Sequence, residues 1–171
     1  MIRRTILAAA LFLASPAWAL DGYSVELGYN NDVLMWRAGL QWKWDRRWFT
    51  GGSAELGGYW DVAAGAWYND EDKTLYDLSV TPVFRYQATG TGTPYLEAAI
   101  GFHLLSDLRV DSSKSFSTKF QFGDHIGAGI RFGPERRYDL QLRLQHLSNG
   151  SIREPNPGIN FLQLRFQVHL D

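Results

Sequence analysis

The 171-residue chain is 45% hydrophobic, 20% charged and 15% aromatic, with a formal net charge of −1, a length suited to one domain. That balance leaves no electrostatic footprint for nucleic acid, and the lack of cysteine excludes disulfide frameworks, thiolate zinc sites and cysteine nucleophiles. Seven Trp, eight Tyr, ten Phe and 17 Gly favour strands over helices.

The first element in chain order is a leader. Arg3 and Arg4 give a basic start, Ile6 to Ala14 is an unbroken apolar run, and Ala17-Trp18-Ala19 follows the helix-breaking Pro16. This pattern predicts a secretory signal peptide over 1–19, its apolar run being too short to span a bilayer. The adjacent arginines also match a twin-arginine signal, but the surrounding residues favour the general secretory route. Segment 20–171 then keeps fifteen basic and eighteen acidic side chains, a net charge of −3.

Beyond the leader, hydrophobicity alternates with period two, which places successive side chains on opposite faces of a strand. Eight strands are predicted, over 22–30, 33–44, 48–61, 74–87, 94–105, 116–132, 137–148 and 160–170, separated by turn-like residues. Leu34, Trp36, Ala38 and Leu40 alternate with Met35, Arg37, Gly39 and Gln41; Leu140, Leu142 and Leu144 alternate with Gln141, Arg143 and Gln145; Leu162, Leu164, Phe166 and Val168 alternate with Gln163, Arg165 and Gln167. Such spacing fits a small up-and-down barrel, either soluble with an apolar interior or membrane-embedded with an apolar exterior.

The charges decide between these two. Arg37, Lys43, Asp77, Arg85, Glu97, Arg131, Arg143 and Arg165 share the face opposite the apolar one, where a small soluble core could not bury them cheaply. A polar lumen can pair them, and the glycines at 39, 101, 123, 127 and 129 on the same face suit a narrow interior. The expectation is an all-β fold, an eight-stranded antiparallel transmembrane barrel of the outer membrane. Both termini and the turns near 46, 90 and 134 are expected on the periplasmic side, and the connections near 30, 69, 110 and 153 outside.

The last hairpin breaks the apolar pattern. Beyond Leu144 the lipid-facing parity reaches His146 and Ser148, and tracing the eighth strand back from Leu162 reaches Asn160. His146 and Ser148 lie about 7 Å apart along one face. If the hairpin pairs symmetrically about Arg153, Asn160 stands across from His146. A histidine flanked by a hydroxyl and an amide can form a Ser–His–Asn hydrolytic triad of nucleophile, base and orienting group. The plainer alternative is a strand end leaving hydrocarbon for the headgroup zone, where polar residues are expected.

The segments His146-Leu147-Ser148-Asn149-Gly150 and Glu154-Pro155-Asn156-Pro157-Gly158-Ile159-Asn160 resemble the lipid A 3-O-deacylase family (PagL), outer-membrane esterases of lipopolysaccharide. Val80 to Tyr86 and Pro94 to Gly101 support the resemblance. It implies removal of the 3-hydroxyacyl chain at position 3 of lipid A, with Ser148 as nucleophile and His146 as base. The family's third member is typically a glutamate, and here Asn160 stands in its place; its carbonyl can accept an imidazole N–H but brings no charge. Asn149, with the backbone N–H groups of Gly150 or Ser151, is the candidate oxyanion hole. No cofactor or metal is implied. The implied partners are lipopolysaccharide and outer-membrane lipids, with a homodimer open and no nucleic acid, and the active site faces the outer leaflet. Two alternatives remain: a lipid A palmitoyltransferase-like barrel, which needs inward-facing groups, and a non-enzymatic structural barrel.

Of the remaining residues, His103 and His125 are assigned to a lumenal polar network and His169 to the interface. Asp124 falls on lipid-facing parity, which would require a bulge in the sixth strand to be inexpensive. Glu154 is a second candidate to orient His146.

Overall fold

The computed structural model describes residues 19–30, 33–69, 73–90 and 93–170. The expected signal peptide falls, apart from Ala19, outside the described residues.

Eight antiparallel strands close into a barrel: β1 (Gly22–Asn30), β2 (Val33–Lys43), β3 (Ala54–Asn69), β4 (Thr74–Ala88), β5 (Thr93–Leu105), β6 (Phe120–Phe132), β7 (Tyr138–Ser148) and β8 (Ile159–His169). Each strand pairs with its sequence neighbour and β1 closes on β8, Val25 lying opposite Phe166. Among the described residues closure gives every strand a paired neighbour on both sides, which is what a strand needs in hydrocarbon.

Two strand boundaries differ from the sequence reading. The third strand was expected over 48–61 but runs Ala54–Asn69. Its start is displaced because Phe49 and Gly51 adopt positive φ and only Trp48 bridges to Leu56. Its second half is the run Ala63-Ala64-Gly65-Ala66, whose small side chains carry no alternation although they pair in register with β2. The sixth strand was expected from 116 but begins at Phe120, because Phe116 turns inward to fill the barrel mouth.

The polarity is that of a membrane barrel. Leu142, Leu144, Leu162 and Leu164 are more than half exposed, while Gln141, Arg143, Gln163 and Arg165 on the alternate positions are buried in the lumen. Phe166 is half-buried because Tyr138 stacks on it at 6.0 Å. At the end holding the 44–53 connection, Trp44 packs edge-on against Trp60 and Phe84 at 6.2 and 4.9 Å, a rim of the kind that seats at a headgroup boundary.

The lumen is filled in two layers. In its middle, Arg37 bridges Glu26 and Asp77 at 2.9 and 2.8 Å, Arg143 reaches Glu26 at 3.0 Å, Arg165 meets Asp61 at 2.6 Å, and Arg85 meets Glu97 and Asp139 at 2.6 and 2.7 Å. His103 joins this network through Asp77 at 2.9 Å, and a Cβ at Gly123 would lie 2.3 Å from its Nε2, so that glycine makes room for the imidazole. His169 was expected at the interface. Its odd parity instead turns it inward, 5% exposed and 3.4 Å from Asp139. Toward the end carrying the 149–158 loop, the lumen becomes apolar. Met35, Trp67, Leu105, Leu147 and Phe161 join Val110 and Phe116 from the 106–119 connection, with Trp67 edge-on to Phe161 at 5.0 Å.

Replacing Arg165 by Leu leaves Asp61 without its 2.6 Å partner; stranding a buried charge in this way costs about 3–5 kcal/mol. Denaturant unfolding of the folded barrel should show a loss of that size, whereas Leu164→Ala on the lipid face should leave the midpoint nearly unchanged in detergent.

Candidate active site

The hairpin of β7 and β8 pairs His146 with Asn160 and centres on Arg153, as the symmetric reading requires. The pairing becomes a direct contact: His146 Nδ1 and Asn160 Oδ1 are 2.7 Å apart. An amide oxygen can only accept, so Nδ1 carries the proton and Nε2 keeps its lone pair. Ser148, two residues along β7 on the same face, is half-buried and lies opposite Phe122 of β6. A hydroxyl, an imidazole with a free Nε2 and an amide that fixes the tautomer are therefore gathered on the membrane side of one hairpin.

Two local devices hold this group. Asn30 donates its side-chain amide to the Asn160 carbonyl at 2.6 Å, tying the end of β1 to the end of β8. Gly158, at φ +61, passes over the imidazole, and a Cβ there would stand 2.7 Å from His146 Cε1. A side chain at 158 would thus meet both the left-handed backbone and the ring.

The candidate oxyanion residues divide. Asn149 points into the barrel and is fully buried; its side-chain amide donates to Ser117 Oγ at 2.9 Å and to the Arg153 carbonyl at 2.7 Å, and its own N–H donates to Asn156 Oδ1 at 3.0 Å. It organises the loop and has no N–H to offer a substrate. Its carbonyl accepts from Ile152 N–H at 3.2 Å, closing a turn whose central residues Gly150 and Ser151 both have positive φ, 63° and 62°, the type I′ pattern. The N–H groups of these two residues are the donors left at the rim beside Ser148. Glu154 is engaged elsewhere, accepting the Asn156 N–H at 2.9 Å.

Asp124 is the residue whose neighbours the sequence did not disclose. β6 carries no bulge here: Asp124 pairs directly with His146 and Phe122 with Ser148. Its carboxylate is exposed on the lipid face, on the side of His146 opposite Asn160. The parity was readable, and the signal missed was that one register aligns Asp124, His146 and Asn160 across three strands. His103 and His125 lie in the lumen, away from this face. Among the described residues no group of three or more His, Asp and Glu is placed to hold a metal ion.

Beside the site lies an open groove of about 800 Å³, walled by Phe84, Ala98, Ile126, Leu144 and Leu162 and ending at Asp124, His146 and Asn160. Ala98 is the small residue of a row that runs Phe84, Ala98, Ile126, Leu144, Leu162 across β4 to β8, which lowers the floor. The groove is apolar along its length and polar at the end that holds Asp124, His146 and Asn160.

The model of the family described as Lipid A 3-O-deacylase (PagL) matches residues 33–169. Lipid A deacylase PagL of Pseudomonas aeruginosa is 34% identical over 137 residues, covering 79% of this chain and 78% of the relative. Lipid A deacylase PagL of Bordetella bronchiseptica is 36% identical over 124 residues, 67% of each chain. The crystal structure of the outer membrane enzyme PagL superposes with a TM-score of 0.79 at 30% identity, covering 87% of this chain and 99% of that one.

The hydrogen bond to Asn160 makes a spectroscopic prediction independent of any reaction. In ¹⁵N-histidine spectra, neutral His146 should be held as the Nδ1–H tautomer, and Asn160→Ala should shift it toward Nε2–H. Gly158→Ala should broaden or move the same signals while leaving those of His103 in place.

Proposed function

The chain belongs to the lipid A 3-O-deacylase family, and from that membership we propose a serine-esterase mechanism carried by Ser148, His146 and Asn160 at the lipid-facing rim of the barrel. The protein is an outer-membrane β-barrel that hydrolyses the ester at position 3 of lipid A. The single observation that carries the mechanism is the 2.7 Å contact between His146 Nδ1 and Asn160 Oδ1, which leaves Nε2 as base on the face shared with Ser148.

Ser148 Oγ attacks the ester carbonyl while His146 Nε2 takes its proton. The tetrahedral oxyanion is met by the backbone N–H groups of Gly150 and Ser151. Collapse returns the proton from His146 to the departing sugar oxygen, leaving the hydroxyacyl group on Ser148. Water, deprotonated by the same nitrogen, then releases the hydroxy acid and restores the serine. Asn160 sets the tautomer throughout but offers no charge to the imidazolium. Asp124, across the strand pair on the other side of His146, supplies a negative charge next to the ring where the family's usual glutamate is missing.

The acyl chain lies along the groove below the site. A second groove of about 660 Å³ follows it down the same face, lined in part by Leu96, Ala128, Leu142 and Leu164, so an extended chain finds apolar walls past the first row. In this reading the active site faces the outer leaflet, where the substrate resides, which the length of the 106–119 connection at that end supports, the 44–53 connection at the other end being no longer than 149–158.

Mass spectrometry of lipid A from cells with and without the protein should show loss of one hydroxyacyl chain; gain of palmitate or no change would reject the reading. Ser148→Ala and His146→Ala should each reduce deacylation to a few per cent or less in folded protein, since nucleophile and base act as a unit. Asn160→Ala should lose less, and Asn160→Glu should be at least as active as wild type. Asp124→Asn should be more damaging in the Asn160 background than in Asn160→Glu, a non-additivity that a merely structural Asp124 would not produce.

A further inference from the structure

The acyl chain is only one half of an ester, and its path fixes where the other half must lie. With the chain running down the groove from Ser148, the departing oxygen and the group that carries it lie on the opposite side of the carbonyl, level with Ser148 or beyond it toward the loop end. On the β8 side that space is filled. Leu147 pairs with Ile159, so the next level belongs to the returning loop, where Gly158 passes over the imidazole. On the β6 side the surface is exposed. There Phe102, Phe122 and Ser148 stand in one row across β5, β6 and β7, and Phe120 stands one row further, beside Leu104.

Phe102 and Phe120 lie 5.9 Å apart and 30° from parallel, forming a shelf whose rings are 51% and 36% exposed. Phe122 stands across Phe120 at 5.1 Å and 83° and closes the shelf on the side of Ser148. It is half-buried, and a Cβ at Gly150 would lie 3.2 Å from its ring, so the shelf is continuous with the turn that carries the proposed oxyanion donors. The rows below on β5 and β6, from Ile100 and Asp124 down to Leu96 and Ala128, hold no ring. Elsewhere around this end, among the described residues, the exposed rings have a polar tip: Tyr29, Tyr68, Tyr76 and Trp36, whose Nε1 donates to the Tyr68 hydroxyl at 3.1 Å. Tyr and Trp are the residues that a headgroup belt selects, because one end of each is apolar and the other wet. Phenylalanine has no such tip, and contact with lipid tails is met by the aliphatic rows below. Three clustered rings beside Ser148 therefore call for a partner that uses their faces.

Resting on the serine-esterase reading, we propose that Phe102 and Phe120 are the subsite for the pyranose ring that bears the ester, with Phe122 as the stop that sets it beside Ser148. An aromatic face carries partial negative charge, and the ring C–H bonds of a sugar, flanked by oxygens, present weak positive charge to it. A pyranose has a face lined by such C–H bonds, while its hydroxyl and amide groups project around its edge toward the headgroup water. The shelf thus holds the leaving group by a face that the glycerol of a phospholipid lacks. Recognition of the substrate as a glycolipid is assigned to these rings, and recognition of its acyl chain to the groove.

The test sets aromatic faces against apolar bulk, measuring lipid A deacylation by the folded barrel in mixed micelles. The Phe102→Leu, Phe120→Leu double variant should lower kcat/KM about tenfold, each ring face being worth about threefold, whereas Phe102→Tyr, Phe120→Tyr should stay within about twofold of wild type. The ¹⁵N signals of His146 should be unchanged in both. Should the leucine pair destabilise the barrel, Phe120→Leu against Phe120→Tyr makes the same comparison at about threefold. A leucine variant as active as wild type means that the shelf meets only an acyl chain or bulk lipid, and overturns the proposal. Equal losses with leucine and tyrosine, or a leucine loss accompanied by shifted His146 signals, also overturn it, since the rings would then be packing supports. Activity surviving in Ser148→Ala rejects the mechanism instead, because the comparison of leucine with tyrosine judges the shelf whichever residue attacks the ester.

Discussion

Everything on the outer face of this barrel depends on the charge network inside it. Glu26 is shared by Arg37 and Arg143 at 2.9 and 3.0 Å, and Arg165 draws toward it at 3.7 Å while holding Asp61. These residues come from β1, β2, β7, β8 and β3, so the network spans the closure of the sheet. Removing one partner leaves a buried charge uncompensated, which is the expensive way to break such a pair. Side-chain direction has period two, and a one-residue slip in β7 would carry Arg143 out to the lipid and Leu144 into the ion pairs. The same slip would turn His146 and Ser148 inward. The register that pairs the arginines is thus the register that presents the imidazole and the hydroxyl to the membrane.

Asn160 changes the electrostatics of the site without changing its geometry. The Nδ1 contact at 2.7 Å orients the ring as a carboxylate would, yet a neutral amide cannot stabilise the imidazolium that the proposed mechanism forms when Ser148 gives up its proton. In a partly lipid-covered setting that difference is large, because low dielectric strengthens both the attraction of a nearby charge and the cost of carrying it. In the proposed mechanism Asp124 meets the requirement from the neighbouring strand, where it is the direct pairing partner of His146. Its own cost on the lipid face is moderated by its height. It lies in the row of His146, at the polar end of the groove, two rows above Ala128 and Leu142.

Much of this was legible in the sequence because alternation is a strong signal where one face meets lipid and the other meets charge. The pairing of His146 with Asn160 followed from parity on two strands and the symmetry of the hairpin about Arg153. What was not legible came from residues whose side chains do not report a face. The run Ala63-Ala64-Gly65-Ala66 hid the second half of β3, since small residues fit either side. Met35, Trp67, Leu147 and Phe161 share lumenal parity with the arginines, so a uniformly polar interior was the wrong expectation for that end of the barrel. Asp124 was read one strand at a time, as a costly charge rather than as the neighbour of a histidine. The inward turn of Asn149 and the passage of Gly158 over the ring depend on the path of the loop, which no periodicity encodes.

The apolar layer explains why a site on the surface can be rigid. Val110 and Phe116 of the 106–119 connection pack into the barrel mouth with Leu147 and Ile159, and these last two are the pair that follows His146 and Asn160 along the hairpin. The connection then reaches the 149–158 loop through Ser117, whose hydroxyl donates to the Arg153 carbonyl at 2.6 Å and accepts from Asn149. The loop that positions Gly150, Ser151 and Gly158 is therefore anchored to a buried hydrophobic plug as well as to its own strands. A barrel whose lumen is packed this way gains a fixed rim at that end. A fixed rim suits the proposed chemistry on a substrate held in the membrane, because in that reading the acyl chain is delivered by the lipid phase along the outer groove and only the ester has to find the fixed groups.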